Sequence, residues 1–214
     1  ILCSAMARDP ENSRFEELLN GIPDSNAIRF LKIRVESTNA CKYKCDMCPR
    51  EKMTRTTGVM PVSDYQFFLD RFAEYVDETD LPQPYRGLFF LNGYGEALLD
   101  PNLAQKSAMV ADQFAASESL IVTTLGVRRR QSYFDELLGS GKLKNIIVSL
   151  YGFQESTYSV VQTGGSYETA RKNLIYVAER NAALGHPCTI SLQLLAPHTH
   201  TIIEQDQNER RAFD

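Results

Sequence analysis

Cys41, Cys45 and Cys48 are three of the chain's five cysteines and fall within eight residues, Cys41-Lys42-Tyr43-Lys44-Cys45-Asp46-Met47-Cys48. The spacing is C-x3-C-x2-C, and no fourth cysteine lies nearby. Iron–sulfur clusters are commonly held by four thiolates. Three close thiolates can hold three irons of a 4Fe-4S cube and leave the fourth iron open. An open position is what separates a catalytic metal centre from a closed structural one, as zinc sites show. The competing reading is structural zinc, which wants four ligands; His186, His198 and His200 lie far along the chain as candidates for the fourth. Cys3 and Cys188 stand apart, and Cys188, near the start of a strand, reads as a buried thiol.

The elements that must position these cysteines follow a repeating pattern. Arg29–Val35 alternates apolar and polar residues, a strand signal, and the cysteine segment follows it directly. Ser63 is placed to cap a helix whose stripe is Tyr65, Phe68, Leu69, Phe72 and Val76. Leu88–Leu91 reads as a short buried strand running into Asn92-Gly93-Tyr94-Gly95-Glu96. Asp100-Pro101 reads as an N-cap with proline in the first turn, opening a helix to about Phe114. Ser119–Thr124, Asn145–Leu150 and Thr189–Leu194 read as further strands. A helix around Tyr133, Leu137 and Leu138 stops at Gly139 or Gly141, and a long one runs from Ser166 to Leu184 with Ala170, Leu174, Val177 and Ala178 inward. Residues 1–28 read as a helical leader outside the main domain, residues 29–214, and the last fifteen or so residues as one more helix. Alternating strands and helices imply an α/β fold with a parallel sheet. Five units are visible where a full eight-unit barrel takes about 250 residues, so the expectation is a partial TIM-type barrel.

Composition narrows the function classes. With 214 residues and 43% apolar content the chain can bury a core. Its net charge of −4 gives no basic surface for nucleic acid. No apolar run reaches the roughly 20 residues of a membrane-spanning helix. Bunched cysteines argue for a reducing, cytoplasmic setting rather than a disulfide scaffold.

In such barrels the site lies at the carboxyl ends of the strands, and each unusual stretch here follows a strand. Together they resemble the radical S-adenosylmethionine (radical SAM) superfamily. Cys41, Cys45 and Cys48 match its cysteine motif, with Met47 as the apolar residue before the last cysteine. Asn92-Gly93-Tyr94-Gly95-Glu96-Ala97-Leu98 is similar to its glycine–glutamate motif. Cys45-Asp46-Met47-Cys48-Pro49-Arg50, Ser149-Leu150-Tyr151-Gly152 and Thr163-Gly164-Gly165-Ser166-Tyr167 look like the branch that often carries SPASM or Twitch domains, although Cys3 and Cys188 cannot supply an auxiliary cluster. Thr123-Thr124-Leu125-Gly126 departs from the Thr-Asn-Gly expected of the family.

The resemblance implies that S-adenosylmethionine chelates the open iron and that an electron from the reduced cluster, delivered by a donor such as flavodoxin or ferredoxin, cleaves it to methionine and a 5′-deoxyadenosyl radical. That radical would take hydrogen from a sugar, a nucleoside-like metabolite or a peptide. Cys41, Cys45 and Cys48 are then metal ligands. Gly93 and Gly95 would admit the methionyl group and Glu96 would hold its ammonium. Thr123, Thr124 and Ser149 offer hydroxyls, Gln193 reaches the ribose or adenine, and Tyr43 and Met47 pack on the adenine. The alternatives are a glycyl-radical-activating enzyme, or a non-catalytic iron–sulfur or zinc module. Arg128-Arg129-Arg130 reads as an exposed helix start.

Overall fold

The computed structural model describes residues 31–45, 47–79, 81 and 83–194. The expected leader helix and the expected last helix lie outside the described residues. Five strands form one sheet: β1 (Leu31–Arg34), β3 (Gly87–Phe90), β4 (Glu118–Thr123), β5 (Leu143–Leu150) and β7 (Thr189–Leu194). Their order is β1-β3-β4-β5-β7 and every pairing is parallel. The fold is therefore α/β with the expected five strands, and among the described residues the barrel is not closed. Two short strands, β2 (Lys44–Cys45) and β6 (Gln162–Thr163), make a separate antiparallel pair. They are too short to leave a period-2 signal.

The crossovers carry α1 (Val62–Asp77), α2 (Leu103–Gln113), α3 (Gln131–Gly139), α4 (Glu155–Val161) and α5 (Tyr167–Ala183). Because each new strand joins the same edge and parallel crossovers share one hand, the helices stack along one face in chain order. α1 packs on α2, α2 on α3, and α3 on α5. Tyr65, Leu69 and Val76 of α1 are buried, and Phe68 and Phe72 pack against the core, as the helical stripe requires. Phe72, Tyr85, Phe89 and Phe114 meet with ring centroids 5.3 to 6.4 Å apart, pinning α1 and α2 to β3. Such pairs add about 0.5–1.5 kcal/mol each beyond their burial.

Three local expectations are corrected. Ser63 does not cap α1. Pro61 occupies the N-cap position without a side-chain cap bond, and Ser63 lies inside the first turn, where its hydroxyl donates to Asp64 at 3.2 Å. The second helix starts at Leu103, later than Asp100-Pro101 suggests. The Asp100 carboxylate accepts from the Asn102 N–H at 2.8 Å and is held by Lys106, so it is committed to a turn before the helix begins. In α5, Ala178 is exposed and Asn181 is buried in its stead. Asn181 is inward because its amide bonds both the N–H and the C=O of Cys188, at 3.1 and 2.8 Å. Ser166 caps α5, accepting from Thr169 N–H at 3.3 Å.

Candidate functional site

The cysteine segment is a loop closed at its base. After β1 the chain leaves at residues 37–39 and returns antiparallel at residues 58–60. Met60 N–H donates to Ser37 C=O at 2.8 Å and Asn39 N–H to Gly58 C=O at 3.2 Å, with Thr38 bridged to Val59. The Asn39 side chain fastens the same point, accepting from Gly58 N–H at 2.7 Å and donating to Thr56 C=O at 2.9 Å. Beneath this staple lies Lys106, which is fully buried. Its ammonium donates to Met60 C=O at 2.7 Å, Ser37 C=O at 3.4 Å and the Asp100 carboxylate at 2.6 Å. Three acceptors for three N–H bonds is what a buried ammonium requires.

Within the loop, Cys48 N–H donates to Cys45 C=O at 2.9 Å and Arg50 reaches back to Tyr43 C=O at 3.1 Å. Cys41, Cys45 and Cys48 form no disulfide and are all half-buried. Burial pushes the Cys41 thiol up, the Tyr43 backbone pulls it down, the Glu96 charge adds to the rise, and Arg50 opposes it. Such a thiol gives up its proton to a metal rather than to water. The middle of the loop is fastened to the far side of the fold: Lys44 pairs with Thr163 and Cys45 with Gln162.

Glu96 is the hub between the strand ends. Its carboxylate is 3% exposed and accepts four hydrogen bonds. They come from Leu98 N–H at 3.2 Å, the Thr123 hydroxyl at 2.5 Å, Thr124 N–H at 2.9 Å and the Thr124 hydroxyl at 2.8 Å. Glu96 N–H itself donates to Ala40 C=O at 2.9 Å, beside Cys41. Gly93 and Gly95 lie against the segment after β1. A Cβ at Gly93 would meet the Glu36 carboxylate, and one at Gly95 would meet Thr38 C=O. Protein contacts therefore account for both glycines. Glu36 accepts from Tyr94 N–H at 2.5 Å and pairs with Arg55 at 2.7 Å.

The expected site residues divide. Thr123, Thr124 and Glu96 are brought into one network, and Ser149 faces Gln193 across β5 and β7 at 3.5 Å. Gln193 is exposed on the edge strand, and Met47 is 52% exposed. Tyr43 is buried at 2% among core residues instead of lining an open surface. Its ring and that of Tyr158 enclose Gly165, and both hydroxyls sit against Gly126. Neither hydroxyl has a well-formed hydrogen-bond partner among the described residues, and the Thr124 hydroxyl is the polar group nearby. Burial pushes both phenols up. Of the arginine run, Arg128 and Arg130 are exposed, while Arg129 donates to Leu98 C=O at 2.6 Å.

Tyr151 directly follows β5, next to Ser149 and Leu150. Its phenol is pushed up first by burial, is bonded by Ser149, and feels the charges of Cys45, Cys48 and Glu96. Sequence reasoning quoted Tyr151 only within a motif and gave it no place at the centre. It missed Gln162, Tyr158, Asn39, Lys106 and Asn173 altogether. Asn173 donates to Leu125 C=O at 2.6 Å and Val127 C=O at 2.9 Å, holding the loop after β4. Leu125 in that loop has φ of 52°, the region where asparagine is favoured over leucine. The departure from Thr-Asn-Gly therefore leaves the backbone shape intact. The one available signal for Gln162 was its position before Thr163-Gly164-Gly165.

Among the described residues no three His, Cys, Asp or Glu side chains converge as they would on a single metal ion. A cube does not require that, because each of its thiolates binds a different iron. Three half-buried soft ligands suit iron–sulfur, and a shell of unpartnered buried polar groups (Gln162, Tyr43, Tyr158) lies beside them. The residues fit the cluster. An open cavity of about 700 Å3 lined by Lys44, Cys45, Cys48, Glu51, Lys52 and Thr163 adjoins the loop. Cys188 is buried, and its thiol is pushed up to about 12 by burial.

No protein-family model matches the chain, and no curated protein matches it in sequence. Solved structures do match its fold. The anSMEcpe enzyme with bound AdoMet superposes with a TM-score of 0.59 at 12% identity, over 85% of this chain and 49% of that one. BtrN in complex with AdoMet and 2-DOIA gives 0.53 at 18% identity, over 77% and 57%. Methylornithine synthase (PylB) gives 0.56 at 10% identity, over 86% and 50%. The chain shares the fold of these structures. The chain spans about half the length of these structures.

Proposed function

We propose that the chain is the catalytic domain of a radical SAM enzyme. The observation that carries this reading is the fastening of the three-cysteine loop to the carboxyl ends of the strands, through Glu96 N–H on Ala40 C=O at 2.9 Å and the Glu96 carboxylate on Thr123 and Thr124, in a fold whose solved neighbours hold AdoMet. Cys41, Cys45 and Cys48 hold a 4Fe-4S cluster. Bound beside it and given one electron through the reduced cluster, S-adenosylmethionine would supply hydrogen-abstraction chemistry for an unactivated C–H bond.

The protein's part is orientation and exclusion of side reactions. The staple at residues 37–39 and 58–60 fixes the cysteine loop to the sheet. Glu96 fixes the ends of β3 and β4 relative to Ala40. Its four acceptor positions are filled by Leu98, Thr123 and Thr124, so its first task is to hold these strand ends together. Ser149 and Tyr151 present hydroxyls from β5 and the turn after it. The substrate is a small metabolite or a peptide: one neighbour holds the small molecule 2-DOIA, and another structure of anSMEcpe holds a Cp18Cys peptide. The electron donor is a flavodoxin or ferredoxin, and the setting is a reducing one. Among the described residues no helix is long and apolar enough to cross a membrane.

The test is anaerobic reconstitution with iron and sulfide, reduction, and addition of S-adenosylmethionine. The expected result is a chelated cluster and release of 5′-deoxyadenosine. An intact, reduced cluster that leaves the adenosylmethionine whole would refute the reading.

A further inference from the structure

We propose that Gln162 donates an N–H hydrogen bond to the Cys45 thiolate and so raises the reduction potential of the cluster. The proposal rests on reading Cys41, Cys45 and Cys48 as cluster ligands.

Cys45 of β2 and Gln162 of β6 are direct partners in an antiparallel ladder. Residues directly opposite in such a ladder point to the same face, with Cβ atoms about 4.5–5.5 Å apart. Burial shows which face this is. The other pair, Lys44 and Thr163, is exposed, whereas Cys45 is half-buried and Gln162 is 0% exposed. The cysteine side chain and the glutamine side chain thus share the inward side of a two-residue ribbon. A glutamine side chain is long enough to bring its amide to the sulfur of that neighbour.

The amide has nothing else to do. Both its Nε2 and its Oε1 are buried without a hydrogen-bond partner among the described residues. Buried polar side chains are nearly always paired, and an orphan needs an explanation such as a redox role or an unseen group. The backbone of Gln162 is held in its turn. Its C=O accepts from Gly165 N–H at 2.8 Å, and the rings of Tyr43 and Tyr158 close over the turn at Gly165. The amide is therefore held on the same side of the ribbon as a cluster ligand, and it has no partner before any cluster is present. Hydrogen bonds to the sulfurs are one of the levers that set the potential of an iron–sulfur centre. A donor stabilises the extra negative charge of the reduced state, so this one makes the cluster easier to reduce. Gln162 is a positioning and tuning residue, not a catalytic one.

The experiment is a spectroscopic redox titration of the reconstituted holoprotein, wild type against Gln162→Leu and Gln162→Glu. Leucine keeps the bulk and removes the donor. At a fixed solution potential near the wild-type midpoint, the reduced-to-oxidised ratio should fall on the order of tenfold in Gln162→Leu, about 59 mV for a one-electron couple. It should fall further in Gln162→Glu, which adds negative charge. A Gln162→Leu protein with full iron content and an unmoved potential overturns the proposal, and so does one whose only change is weaker adenosylmethionine binding. Should the variants fail to assemble a cluster, the wild type decides. Pulsed EPR of its reduced cluster with 15N-labelled glutamine side chains should show a coupled amide nitrogen, and no such coupling overturns the proposal. A wild type that assembles no cluster defeats the proposed function itself. A wild type that yields 5′-deoxyadenosine while Gln162→Leu keeps its potential defeats only this inference.

Discussion

Replacing Glu96 by glutamine tests whether this residue is a structural hub. A carboxylate only accepts, and here it accepts four hydrogen bonds from Leu98 N–H, the Thr123 hydroxyl, and the N–H and hydroxyl of Thr124. A glutamine amide must turn an NH2 towards one of the two pairs. Each pair contains a backbone N–H that cannot rotate, so either orientation leaves one buried donor facing another. A buried unsatisfied donor costs about 1–3 kcal/mol, and bonds to a charged acceptor exceed neutral ones by roughly 1 kcal/mol each. Two or three surviving bonds lose that charge. Glu96→Gln should therefore destabilise the apo-protein by about 3–5 kcal/mol, a large share of the roughly 5–15 kcal/mol of a typical domain. Urea unfolding followed by circular dichroism measures it, with the midpoint moving and the slope unchanged. A double-mutant cycle with Thr124→Val should return a coupling of at least about 1 kcal/mol. A Glu96→Gln protein within about 0.5 kcal/mol of wild type would refute the hub, since surface-like substitutions have effects of that size.

Further outcomes follow from other contacts. Lys106→Met leaves the Asp100 carboxylate buried and unpaired, and should cost about 3–5 kcal/mol, with much of it recovered in the double variant with Asp100→Asn; urea midpoints check this. Gln162→Leu should raise the stability of the apo-protein by about 1–3 kcal/mol, because it removes a buried amide with no partner. Gly95→Ala drives a Cβ into the Thr38 backbone and should lower the melting temperature, whereas at Gly139 a Cβ meets nothing within 4 Å and alanine should be neutral or better. The Cys188 thiol, pushed up to about 12 by burial, stays protonated in the folded chain after it ionises in the unfolded one. Its contribution is complete below the ordinary value of 9.0 and is lost as pH rises from there towards 12. The stability of wild type relative to Cys188→Ala should fall over that window, and Cys188 should resist alkylation in the folded protein.

Much of this protein was legible in its sequence. The five parallel strands were readable because apolar runs bounded by turn residues mark buried strands, and the strand–helix alternation admits little besides a parallel sheet. The C-x3-C-x2-C spacing is local, so the metal-binding hypothesis needed no fold. What the sequence could not supply was the set of partners that lie far along the chain. Glu96 reads as a free carboxylate until the end of β4 brings Thr123 and Thr124 to it. Lys106 reads as a solvated helix residue until the staple places Ser37 and Met60 above it. Gln162 had only its position before Thr163-Gly164-Gly165 to mark it, because its meaning depends on a two-residue ladder joining it to Cys45 across more than a hundred residues. Ligand identity is written in spacing; which groups surround the ligands is decided only when tertiary folding closes those distances and removes the water that would otherwise satisfy them.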